Sequence, residues 1–153
     1  MKVEIKEVDD DILLSLSQEA REIDREEVYY QSGMDMADAL ELSYSLSTVC
    51  KAGFLDDKLV NVWGVCLMNL EDGIGQPWMI GTDEVENATL PFLRNCCYYL
   101  NEMQQGYSSL YNHVYADNAI AIRWLKWMGF KMQDAAPYGP FGKPFHRFYW
   151  SSE

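Results

Sequence analysis

Basic residues are scarce: 12 Lys and Arg stand against 24 Asp and Glu in 153 residues, a formal charge of −12. Phosphate contacts need clustered Lys and Arg, so this balance argues against nucleic-acid binding and against an anionic membrane surface. Long apolar runs are missing too, and nothing approaches the roughly 18 residues that a membrane span requires. Cysteine is sparse: Cys50, Cys66 and the pair Cys96-Cys97 form no CxxC, and His113 and His146 are the two histidines. No metal site is expected from such a set. Cys96-Cys97 falls in an apolar helical pattern and reads as small core residues. The opening Met1-Lys2-Val3-Glu4-Ile5-Lys6 alternates apolar and charged residues and does not read as a signal peptide. A reducing cytoplasm, or a particle assembled in one, is the expected compartment. Repeats, low-complexity tracts and Ser/Gly linkers are lacking as well, which leaves one domain over residues 1–153. With hydrophobic residues at 48% and charged residues at 24%, such a domain has enough apolar material for its own core.

Along the chain, Lys2 to Val8 alternates as a half-buried strand does. Asp9-Asp10-Asp11 supplies an N-cap and favourable charge for a helix to about Arg21. Asp24 with Glu27 reads as a second capping box, leading into Tyr29-Tyr30 and ending at Gly33. A short helix over Met36 to Leu46 follows. Thr48 to Phe54, Val60 to Met68 and Pro77 to Ile80 read as three strands of an antiparallel meander, with Glu71 to Gly75 as a turn. The middle run is apolar on both faces, as a covered strand should be. A helix over Thr89 to Gln105 comes next, with Leu93, Cys96, Cys97, Leu100 and Met103 on one face. Then come a strand over Ser109 to Tyr115, a helix over Asn118 to Met128 closed by Gly129, and strands over Phe130 to Gln133 and Phe145 to Trp150. The stiff segment Pro137 to Pro144 separates the last two, and the aromatic stretch Tyr138 to Phe145 is expected either to form an exposed apolar patch or to fold over the sheet as part of the core. The fold class is α/β (α+β): a mixed sheet of six to seven strands flanked by about four helices.

That order resembles the GNAT acyltransferase superfamily, and so does one local pattern, Asn118-Ala119-Ile120-Ala121-Ile122 leading to Gly129-Phe130. Asn118 is expected to cap the helix, and Ala121 to let it approach the sheet closely. The resemblance implies that the strands over Trp78 to Gly81 and Ser109 to Tyr115 run parallel and all other neighbours antiparallel. A narrower resemblance rests on Pro77 to Asp83, Phe92-Leu93-Arg94, Arg123 to Phe130, Tyr138-Gly139 and Pro144-Phe145 with Arg147-Phe148. These segments are similar to the small internal virion protein family of short-tailed bacteriophages, although Asp117-Asn118 stands where an Arg-Asn pair is expected. It implies a phage-encoded protein of the host cytoplasm or the virion. Such a protein acts by contact with other phage or host proteins during virion assembly.

The chemistry implied by the GNAT resemblance can be checked residue by residue. Active members cradle the acyl-CoA pyrophosphate on a basic, glycine-rich loop at a helix start. The matching segment, Gly81 to Pro91, carries Asp83, Glu84 and Glu86, and Pro91 removes a donor. The strand splay that would pair with the pantetheine arm places Met79, Ile80 and Gly81 opposite Asn112-His113-Val114. If acyl-CoA binding is retained, Met79, Ile80, Gly81 and Asn118 are the candidate cofactor-binding residues. The tyrosine that commonly protonates the departing thiolate is replaced by Leu125, with Tyr115 and Tyr138 nearby. Glu71 and Asp72 are available as a base but read as a solvated turn, and His113 and His146 read as hydrogen-bonded structural histidines, with a catalytic role as the alternative. These features lead to an expectation of no cofactor and degenerate catalysis. An acetyl-CoA-dependent N-acetyltransferase acting on a protein or a small amine is the alternative.

Overall fold

The computed structural model describes residues 2–87, 94, 95, 98 and 101–152. Strand β1 (Val3–Glu7) leads to three helices, α1 (Asp10–Glu19), α2 (Glu22–Ser32) and α3 (Met36–Leu46). Asp9 caps α1 as its sequence predicts: its Oδ1 accepts from the Ile12 N–H at 2.8 Å. The meander follows as β2 (Ser47–Leu55), β3 (Lys58–Asn69) and β4 (Ile74–Gly81). A 3₁₀ turn over Asp83–Asn87 leaves β4. Residues 94, 95, 98 and 101–104 are helical, in keeping with the expected crossover. Leu93, Cys96, Cys97 and Leu100, expected on one face of a helix, lie outside the described residues. The chain closes with β5 (Ser109–Tyr115), α4 (Ala119–Trp127), β6 (Lys131–Met132), β7 (Ala136–Tyr138) and β8 (Lys143–Ser151).

Among the described residues, eight strands form one sheet in the order β1-β2-β3-β4-β5-β8-β6, with β7 also on β8. β4 and β5 are parallel and every other pair is antiparallel, as the resemblance implied. The sheet has one strand more than expected, because the segment taken for a stiff loop contains β7 and turns back as a hairpin. Its turn is exposed, as expected, and it is anchored on α2. Phe141 is 48% exposed, yet its ring stacks on Tyr29 of α2 with centroids 4.9 Å apart. Phe141→Ala is expected to lower stability by about 0.5–1.5 kcal/mol, read from a urea midpoint. An unchanged midpoint would show that the stack contributes nothing.

Helices α1 and α3 cover one face of the sheet, where Leu16, Met36 and Leu40 pack on Ala52, Val62 and Ile80. Helix α4 covers the other, where Ala121 and Leu125 meet Trp63, Val65, Leu110 and Val114. The apolar run of β3 is thus buried on both faces, which is why it does not alternate. β4 and β5 touch where Gly75 lies against Leu110; a Cβ on Gly75 would sit 2.8 Å from Tyr107 and Val65. Glycine permits that close approach.

Candidate active site

β4 and β5 pair at two positions only, Ile74 with Ser109 and Gly75 with Leu110. Beyond them the strands part, and the gap widens toward Gly81 and Tyr115. Side chains of α2 close its wide end. Asp24, Glu27, Val28 and Gln31 are spaced to share one helix face, and this face looks into the opening. Asp24 Oδ2 accepts the Gly81 N–H at 2.8 Å, and the Gly81 carbonyl accepts the Arg21 N–H at 2.9 Å. Glu27 Oε2 accepts the Tyr115 N–H at 2.9 Å. Asn118 joins the two carboxylates, donating to Asp24 Oδ1 and Glu27 Oε2 at 3.0 Å each. Arg21 completes the cluster with an ion pair to Asp24 at 2.9 Å and a bond to Asn118 Oδ1 at 3.2 Å. At the narrow end, Asn112 donates to the Pro77 carbonyl at 2.8 Å and accepts from Gln31 at 3.0 Å.

Between these two closures the strand edges face a cavity. Alternation along β4 turns the Met79 N–H and C=O the same way as those of Gly81, toward the gap. Ile80 faces the other way, paired with Val62 of β3, and its side chain sits in the α1–α3 core. A cavity of about 360 Å³ is lined by Leu40 and Trp78 on one face of the sheet and by Trp63, Ala121 and Leu125 on the other. It therefore passes through the sheet where β4 and β5 separate. Partly apolar walls with a few convergent polar groups are the usual character of a small-molecule site.

Three of those polar groups stand out. Glu27 has its carboxyl pushed up to about 7, first by burial and then by the neighbouring Asp24 charge. Its Oε2 takes both described hydrogen bonds, so Oε1 has no described partner. His113 lines the cavity with its ring stacked on Tyr138, centroids 3.7 Å apart, and its buried Nδ1 has no partner. Burial and the Arg147 charge lower its pKa, so the ring is neutral near pH 7. Asn61 is fully buried beside Met79, whose sulfur lies 3.5 Å from its Nδ2, while Oδ1 has no partner. Buried polar atoms are rarely orphaned, and two of them on one cavity suggest groups awaiting a ligand.

The sequence-derived candidates divide. Met79 and Gly81 edge the opening, though the Gly81 backbone is already engaged. Asn118 makes no side-chain cap on α4, contrary to its expected role. Both its amide hydrogens go to the α2 carboxylates, and it is 1% exposed, so it orders the site. Leu125 lines the cavity. Tyr138 does too, whereas Tyr115 packs against Tyr30 and Phe145. Glu71 and Asp72 are exposed, and His146 Nδ1 lies 2.8 Å from the Gln133 carbonyl. Asp24 and Glu27, expected to form a capping box, instead supply the site's two carboxylates, Asp24 buried and Glu27 part-buried. Asn61 left one sequence signal, as an amide inside an apolar strand. Among the described residues there is no metal-binding cluster and no helix long and apolar enough to cross a membrane.

No family model matches the chain, nor does any curated sequence. Solved structures do. The ribosomal-protein-S18-alanine N-acetyltransferase of Escherichia coli matches at 12% identity and TM-score 0.68, covering 98% of this chain and 94% of its own. Spermidine N-acetyltransferase of Vibrio cholerae, solved with CoA and spermine, matches at 14% identity and TM-score 0.69, covering 97% and 95%. An acetyltransferase of the GNAT family from Streptococcus pneumoniae matches at 12% identity and TM-score 0.64, covering 98% and 99%. These neighbours overturn the expected noncatalytic role in virion assembly. Each is an acetyltransferase, none of the three is a virion protein, and they favour the alternative reading. The expectation of no cofactor loses its support as well, since one of them holds CoA. At this identity the likeness establishes the architecture, and the architecture of this chain is the GNAT acetyltransferase fold.

Proposed function

We propose that the protein is an acetyl-CoA-dependent N-acetyltransferase. One observation carries the reading: the cavity that crosses the sheet between the parted β4 and β5, with the Glu27 carboxylate enclosed at its edge. Fold likeness to acetyltransferases supports it. The residues present fit an acyl-CoA arm. Met79 offers a strand edge facing the gap, and Asn61 Oδ1 offers an acceptor for an amide N–H. Acetyl-CoA, when bound, supplies an acetyl group activated as a thioester. Glu27 holds a proton-accepting carboxylate where an ammonium must lose its proton, and a base with a pKa near the working pH suits that task. Leu125 provides no proton, and the Tyr138 hydroxyl, the tyrosine among the described lining residues, is the group that would return one.

The acidic loop weakens the site without abolishing it. Asp83 and Glu86 are exposed, and Glu84 is half-buried with Lys58 at 4.0 Å. In water at about 7 Å, each carboxylate opposes a phosphate charge by only about 0.6 kcal/mol. Calorimetric titration with acetyl-CoA is expected to give a Kd of about 0.1 mM. The triple variant Asp83→Asn, Glu84→Gln, Glu86→Gln should tighten it roughly 20-fold. A Kd weaker than about 5 mM for both proteins would overturn the reading.

A further inference from the structure

We propose that the acceptor is a small free monoamine: a primary ammonium of single charge on an aromatic or branched aliphatic body. The inference rests on the acetyltransferase reading and names the substrate class of the same site. The part of the cavity facing α2 and α3 is walled by Val28, Met34, Met36, Leu40 and Trp78. Among the described lining residues, Glu27 is the only acidic side chain. One part-buried carboxylate balances one ammonium. A second ammonium on the same molecule would sit unpaired among methionines, and an unpaired charge in such surroundings is strongly disfavoured. Two polar atoms remain to meet the first: Glu27 Oε1, which has no described partner, and the orphan Nδ1 of neutral His113. Glu27 holds the N–H of Tyr115, two residues beyond His113 on β5, so both groups flank the same stretch of strand.

Packing at the rim sets the size. The β7–β8 hairpin lies against the C-terminal half of α2. A Cβ on Gly139 would collide with the Tyr30 carbonyl oxygen, and Phe141 stacks on Tyr29. These contacts narrow the rim between the two elements, which favours a free amine over a protein N-terminus.

The test uses acetyl-CoA with 2-phenylethylamine, isoamylamine, spermidine and the tripeptide Met-Ala-Ala. Acetyl transfer is followed by thiol release, and amine binding is measured separately by calorimetry without acetyl-CoA. The expected result is a kcat/KM for phenylethylamine at least tenfold above those for spermidine and the tripeptide, with the same order in binding. Met34→Glu places a second carboxylate on the wall and should raise the spermidine-to-phenylethylamine ratio at least tenfold. Wild-type preference for spermidine or the tripeptide, or absence of any amine binding, overturns the proposal. Failure of acetyl-CoA to bind while phenylethylamine binds overturns the acetyltransferase reading and leaves the amine site standing.

Discussion

Glu27→Gln is expected to lower kcat about 10²–10⁴-fold while acetyl-CoA still binds, because the variant loses the proton acceptor and little else. Glutamine is nearly isosteric, and its amide oxygen still accepts the Tyr115 N–H and the Asn118 amide, so the fold is retained. For the wild type, kcat/KM should rise with pH through about 7 as the carboxyl ionises. That limb should vanish in the variant. A pH–rate profile that keeps the limb in Glu27→Gln would assign the base elsewhere. The same substitution has a signature in stability. Folding raises the Glu27 pKa from 4.5 to about 7, so the folded state holds the proton more tightly than the unfolded chain. The contribution is fully present below about pH 4.5 and is lost as pH rises through 7. Relative to the variant, the wild type should lose about 2–3 kcal/mol between pH 5 and pH 8. His113, whose pKa is lowered, works in the opposite direction. Comparing wild type with variant cancels it. Urea midpoints at the two pH values measure the difference.

Asp24→Ala should destabilise the protein by about 3–5 kcal/mol, the largest structural effect expected here. Asp24 is 1% exposed and Arg21 is 7% exposed. Removing the carboxylate leaves a buried guanidinium uncompensated and deprives the Gly81 N–H and the Asn118 amide of their acceptor. Breaking one side of a buried pair costs far more than the pair contributes, because the partner's desolvation is no longer offset. Asp24→Asn keeps the shape and some of the hydrogen bonds, so it should lose less. Equal midpoints for wild type and Asp24→Ala would mean that Arg21 finds water on its own.

The two carboxylates illustrate where sequence reasoning stopped. Asp24 and Glu27 stand three residues apart, a spacing that suits a capping box and equally suits one helix face. Local chemistry does not choose between these. The choice came from α2 lying beside the open ends of β4 and β5, where two backbone N–H groups, Gly81 and Tyr115, needed acceptors. Backbone donors in a buried place must be paired, so the carboxylates turn inward and leave no capping box. Asn118 follows the same logic: its amide satisfies the carboxylates instead of capping α4.

Much of the architecture was legible because its signals are local. The Asp9 cap, the doubly apolar β3 and the Gly129 stop each depend on a few neighbouring residues and survived folding as expected. The Ala121 approach to the sheet did so as well. The parallel pairing of β4 with β5 followed from the element order. The virion role failed because short stretches of similarity say nothing about what a cavity holds. The site itself was decided only in three dimensions. Its parts come from α2, α3, β3, β4, β5, α4 and β7, separated by more than a hundred residues, and no spacing rule links Asn61 to His113 or either to Glu27. The parting of two strands and the burial that lifts the Glu27 pKa are properties of the folded chain. They arise because unpaired strand edges, a half-covered cavity and a low-dielectric surrounding exist only once the elements have packed.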